Sequence, residues 1–125
     1  MPARAQLPLI AVVDDEPSVR KALERLIRAA GYAVEIFSCG MDFLRSLESR
    51  TPDCLVLDLH MPAIDGFEVM ARVRRTAPLL PVIVITADDS PQNRARAQND
   101  GARTYLCKPV DDAALLASLQ AAVLK

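Results

Sequence analysis

Four short apolar runs punctuate the chain, and each stops on a polar residue. Leu9-Ile10-Ala11-Val12-Val13 runs into Asp14-Asp15-Glu16, Cys54-Leu55-Val56-Leu57 into Asp58, Val82-Ile83-Val84-Ile85 into Thr86, and Tyr105-Leu106-Cys107 into Lys108-Pro109. A run this short with no polar side reads as a strand buried between two layers, as in parallel sheets. Ligands of such sheets collect just beyond the carboxyl ends of the strands. The chain order therefore predicts one crevice shared by three or four acids, a hydroxyl and an ammonium.

Helical patterns fill the gaps between the runs. Pro17 suits a first helical position, Val19, Leu23, Leu26, Ile27 and Ala30 share a face, and Gly31 ends the helix. Val34, Ile36 and Phe37 form a further strand of alternating character. Phe43, Leu44 and Leu47 mark a second helix that ends near Ser49-Arg50-Thr51-Pro52. A loop from His60 to Ile64 leads to Asp65, a natural N-cap for a third helix carrying Phe67, Met70 and Val73. A fourth helix starts within Asp88-Asp89-Ser90-Pro91 and ends at Asn99-Asp100-Gly101. It has little apolar side-chain area beyond Ala95 and Ala97, so weak docking and mobility are expected. The last helix covers Asp111 to Leu124, with Leu115, Leu116, Leu119 and Val123 facing inward. Five β/α units in strict alternation predict an α/β fold, a doubly wound five-stranded parallel sheet with five helices. Right-handed crossovers favour the flavodoxin-like strand order 2-1-3-4-5.

The 125 residues make one domain, with residues 1–7 as a loose leader. A formal net charge of -1 offers no clustered basic excess, so direct nucleic-acid binding is not expected. The run from Leu7 to Val13 is too short to span a bilayer and lacks a signal cleavage pattern. Cys39, Cys54 and Cys107 are odd in number and form no C-x-x-C pair. They read as reduced thiols in a cytoplasmic protein.

Asp14, Asp15 and Asp58 in one crevice would repel unless a cation joined them. A hard divalent ion with oxygen ligands resolves the repulsion, and Mg²⁺ suits a site that also holds a phosphate. Read alone, Asp14-Asp15-Glu16 is as well explained as a helix cap; Asp58, at the end of another strand, tips the pair of motifs toward metal. Lys108 alone would be a surface lysine, and Thr86 alone an ordinary β-branched strand residue. Beside the acids, Lys108 can grip an anion's oxygen and the Thr86 hydroxyl can donate to it. A carboxylate flanked in this way suits phosphoryl transfer to Asp.

At this point the residues resemble the receiver domain of two-component response regulators, across essentially the whole chain. The resemblance rests on Val-Val-Asp14-Asp15-Glu16, Leu-Asp58-Leu-His-Met-Pro62, Asp65-Gly66, Ile-Thr86-Ala87 and Tyr105-Leu-Cys-Lys108-Pro109. In detail it is most similar to receivers of the nitrogen-fixation and LuxR-output kind. The resemblance implies a CheY-like fold and a phosphorylation-activated switch. Asp58 looks like the phosphoacceptor. Asp14, Asp15, Asp58 and the His60 backbone carbonyl would hold Mg²⁺, with Mn²⁺ as a substitute. Thr86, the Ala87 backbone and Lys108 would bind the phosphoryl group. Thr86 would move toward that group and Tyr105 would swing inward behind it. The Lys108–Pro109 peptide would be cis. Expected partners are a sensor histidine kinase, a downstream output that controls transcription, and a second copy in a phosphorylation-dependent homodimer.

Val110 stands where phenylalanine often follows Lys-Pro in this family. His60 and Asp88 lie two places beyond Asp58 and Thr86, where side chains tend to tune the lifetime of the phosphoryl group. For His60 a solvated loop residue is the competing reading. Two rivals use related chemistry or the same fold. An Asp-nucleophile hydrolase of the haloacid-dehalogenase type carries a second Asp two places on, where this chain has His60. A mononucleotide or flavin binder needs a glycine-rich loop after the first strand, where this chain has Asp-Asp-Glu-Pro.

Overall fold

A computed structural model describes residues 7–124. Residues 1–6 of the expected leader lie outside the described residues; Leu7 is exposed. Five strands alternate with five helices: β1 Leu9–Val13, α1 Pro17–Ala29, β2 Ala33–Phe37, α2 Gly40–Ser46, β3 Cys54–Asp58, α3 Gly66–Thr76, β4 Val82–Thr86, α4 Pro91–Asn99, β5 Thr104–Cys107 and α5 Asp112–Leu124. The sheet is parallel throughout, in the order β2-β1-β3-β4-β5. This is the predicted flavodoxin-like order.

Three of the four apolar runs become the central strands β1, β3 and β4, each buried on both faces; the fourth becomes the edge strand β5, where only Tyr105 is buried, because an edge strand lacks a neighbour on one side. Successive side chains point to opposite sides of a strand, so each run feeds two cores. Ala11, Val13, Leu55, Leu57, Val82 and Val84 pack with α2 and α3 through Phe43, Phe67, Val69, Met70 and Val73. Ile10, Val12, Val56, Ile83 and Ile85 pack with α1 and α5 through Leu23, Ile27, Leu115, Leu119 and Ala122. Burying side chains of this size contributes roughly 1.5–3 kcal/mol each, which fixes the strand ends relative to one another.

Local signals set the helix boundaries. Pro17 opens α1, and Gly31, at φ +101°, takes the left-handed turn that ends it. The Asp65 side chain accepts the Glu68 N–H at 3.0 Å and caps α3, as expected. Ser90 caps α4 through the Asn93 N–H, with Pro91 in the first turn. Two boundaries differ from expectation. Helix α2 stops at Ser46, several residues early, and α5 begins at Asp112 because Asp111 turns outward to accept the Ala114 N–H at 2.9 Å.

Helix α4 buries only Ala97, so its apolar docking is as weak as its composition implies. Two arginines reinforce it in a way the sequence did not reveal. The Arg94 guanidinium lies 4.5 Å from the Tyr105 ring centre, and that of Arg96 lies 3.9 Å from Phe67. These stacks tie α4 to β5 and to α3.

Candidate functional site

Strands β1, β3 and β4 deliver Asp14, Asp58 and Thr86 to the same edge of the sheet, because parallel strands all end on one side. Asp14 is fully buried and Asp58 is 2% exposed. One oxygen from each of Asp14, Asp15 and Asp58 lies within 4.8 Å of the others. Backbone contacts hold two of these acids. Asp14 Oδ1 accepts the Glu16 N–H at 2.8 Å, and Arg20 on α1 donates to the Asp14 carbonyl at 2.8 Å. Asp58 Oδ1 accepts the His60 N–H at 3.2 Å.

Lys108 enters from the end of β5, and its peptide bond to Pro109 is cis. Its ammonium lies 2.8 Å from Glu16 Oε1, 2.9 Å from Asp14 Oδ2 and 3.4 Å from Asp58 Oδ2. The approach to Asp14 is an ion pair with poor hydrogen-bond geometry, so the buried Oδ2 has no hydrogen-bond partner among the described residues.

Burial, and then the neighbouring Asp14 charge, push the Asp58 carboxyl up to about 6; Lys108 and the His60 N–H pull the other way without cancelling them. Burial draws Lys108 down, but the carboxylates of Glu16, Asp14 and Asp58 outweigh it and keep the ammonium protonated above its ordinary range. One lysine therefore does not satisfy the negative charge gathered here. An orphaned buried oxygen beside two further carboxylates fits a hard divalent cation with oxygen ligands.

The hydroxyl of Thr86 is buried but turned away from Asp58. It accepts the Asp88 N–H at 3.1 Å and lies 3.5 Å from the Asp88 carbonyl. The Tyr105 hydroxyl donates to that same carbonyl at 3.4 Å. Tyr105 is buried in this structure. Ala87 is exposed, and its N–H makes no hydrogen bond among the described residues. The exposed side chain of His60 places Nε2 3.5 Å from Asp88 Oδ2, at the rim of the crevice.

Sequence reasoning grouped Glu16 with the acids but missed its contact with Lys108, and it missed Arg20. Position in the acidic run was the only signal for the first, and nothing in the local pattern marked the second. The cysteines form no disulfide among the described residues, and burial pushes the Cys54 thiol up to about 12. No helix among the described residues is long and apolar enough to cross a membrane.

Residues 10–120 match the family model of the response regulator receiver domain. The chain belongs to the response regulator receiver domain family. Relatives include response regulator MprA of Mycobacterium ulcerans, 43% identical over 112 residues, covering 90% of this chain and 48% of the relative. The same protein of Mycobacterium tuberculosis is 43% identical, covering 90% and 49%. The receiver domain thus spans about half the length of these relatives. Among solved structures, a CheY-like receiver domain protein from Methanospirillum hungatei superposes with a TM-score of 0.89 at 25% identity, covering 94% of each chain. Vibrio cholerae chemotaxis protein CheY4 gives 0.86 at 29% identity, covering 93% of this chain and 98% of that one.

Proposed function

We propose that this receiver domain is a signalling switch driven by phosphorylation of Asp58. The observation that carries the reading is the meeting of Asp14, Asp15, Asp58 and Lys108 at the ends of three separate strands. A sensor histidine kinase is the donor. An Asp58 carboxylate oxygen bonds to phosphorus as the donor's P–N bond breaks, and the departing imidazole nitrogen takes up a proton. The domain assists its own phosphorylation and dephosphorylation and is not a turnover catalyst.

Asp14, Asp15, Asp58 and the His60 carbonyl would hold Mg²⁺, or Mn²⁺ in its place. When bound, the ion neutralises charge on the phosphoryl oxygens. The protein's own groups do the rest. Lys108 pairs with the phosphoryl oxygens, the free Ala87 N–H donates to them, and Thr86 turns its hydroxyl from Asp88 toward them. That turn abandons the Thr86–Asp88 bond and disturbs the carbonyl that Tyr105 also uses. Charge at Asp58 is thereby coupled to the β4–α4 loop and to β5. Moving a 1:99 mixture to 99:1 requires roughly 5.5 kcal/mol of preference for the active state. A few charge-assisted hydrogen bonds, at about 1.5–3 kcal/mol each, supply it.

The downstream output is transcriptional in this reading, with a second copy joining the phosphorylated form and the cytoplasm as the setting. The motif details support the nitrogen-fixation and LuxR-output type. Incubation with acetyl phosphate and Mg²⁺ tests the core of the proposal. Intact-mass measurement should show one added phosphoryl group on the wild type and none on Asp58→Asn. An unmodified wild type, or equal labelling of the variant, would refute it.

A further inference from the structure

The closest partner of Lys108 is not one of the three clustered aspartates. It is Glu16, at 2.8 Å, with a side chain that is 55% exposed. The Lys108 side chain is only 11% exposed, and the contact of its ammonium with Asp58 is the longest of the three, at 3.4 Å. An ammonium has three N–H donors, and here three carboxylates surround it. We propose that Glu16 is a positioning residue that holds Lys108 back from Asp58 at rest and releases it when Asp58 takes a phosphoryl group. This inference rests on the acceptor reading above.

A phosphorylated Asp58 offers more negative charge and more acceptor oxygens, so the Lys108 ammonium, already 3.4 Å from Asp58 Oδ2, is drawn closer to it. Drawing the ammonium closer to Asp58 lengthens its contact with Glu16 or with Asp14. Releasing Asp14 would strand a fully buried carboxylate, which is costly. Releasing Glu16 returns a half-exposed carboxylate to water at little cost. Glu16 is therefore the detachable counter-charge, and its hold on the ammonium opposes phosphoryl binding by the strength of one exposed ion pair.

Glu16→Ala removes the competitor, and Glu16→Gln keeps an acceptor but removes the charge. Beryllofluoride, which mimics the phosphoryl group on a carboxylate, is titrated at saturating Mg²⁺ into the wild type and both variants. Affinity should rise about two- to five-fold in Glu16→Ala, the worth of an exposed ion pair, with Glu16→Gln between. In the ligand-free proteins, the Lys108 Nζ signal by ¹⁵N NMR should move in Glu16→Ala toward its position in the beryllofluoride-bound wild type. Thermal melts confirm that all three are folded. Unchanged or weaker affinity with an unmoved Lys108 signal overturns the inference. A wild type that takes up no beryllofluoride instead sinks the acceptor reading. The ligand-free Lys108 signals then still decide the role of Glu16: a shift in Glu16→Ala supports the restraint, and identical signals overturn it.

Discussion

Asp58 is a carboxylate whose own fold disfavours its charge. Its pKa is raised from 3.8 to about 6, so ionisation costs the folded domain up to roughly 3 kcal/mol. The cost is absent below about pH 4, where Asp58 is protonated whether the chain is folded or not. It builds as the pH rises toward 6 and is complete above that. Without divalent ions, Asp58→Asn should therefore stabilise the domain by about 1–3 kcal/mol at pH 7.5. Urea melts across the range should show the gain shrinking to nothing near pH 4; a gain independent of pH would contradict the electrostatic origin. Gly66 is constrained differently. A methyl group there would sit 2.6 Å from the Asp58 carbonyl oxygen and 2.7 Å from Leu59 Cα, both backbone atoms. Gly66→Ala is expected to cost about 1–3 kcal/mol in the same melts, because neither neighbour can rotate away.

Among the elements, α4 is the least secured. Helices α3 and α5 are anchored by large apolar side chains, whereas α4 relies on Ala97 and two arginine stacks. Each stack is worth about 0.5–1 kcal/mol. Arg94→Ala and Arg96→Ala should each speed amide hydrogen exchange across residues 91–99 about two- to five-fold, leaving α3 unchanged. Equal protection in variants and wild type would show that the stacks contribute nothing. This contrast also marks what the sequence could disclose. Strands β1, β3 and β4 were legible because fully buried strands leave uninterrupted apolar runs, and α3 and α4 because Asp65, Ser90 and Pro91 carry start signals. The convergence of Asp14, Asp58, Thr86 and Lys108 followed from strand polarity alone. The arginine stacks, the Glu16–Lys108 pair and the direction of the Thr86 hydroxyl were not legible. Each depends on side-chain torsions between segments far apart in sequence, which leave no periodic trace.

At the scale of the whole molecule, a cation held by the clustered acids would be linked to folding. The unfolded chain does not hold the adjacent Asp14 and Asp15 beside the distant Asp58, so an ion that needs all three stabilises the folded form. At a hundred times its dissociation constant, Mg²⁺ should add about 2.7 kcal/mol. Thermal melts in MgCl₂ should rise above those in NaCl of matched ionic strength, and Asp14→Asn should lose most of the difference. Identical melts in the two salts would remove the cation from the account. The sheet order has one more consequence. Asp58 ends β3, the middle strand of five, braced by neighbours on either side and a packed layer above and below. A charge added there meets a strand packed on every side. On the proposed reading it would be relieved farther out, at the rim formed by β5 and the thinly seated helix beside it.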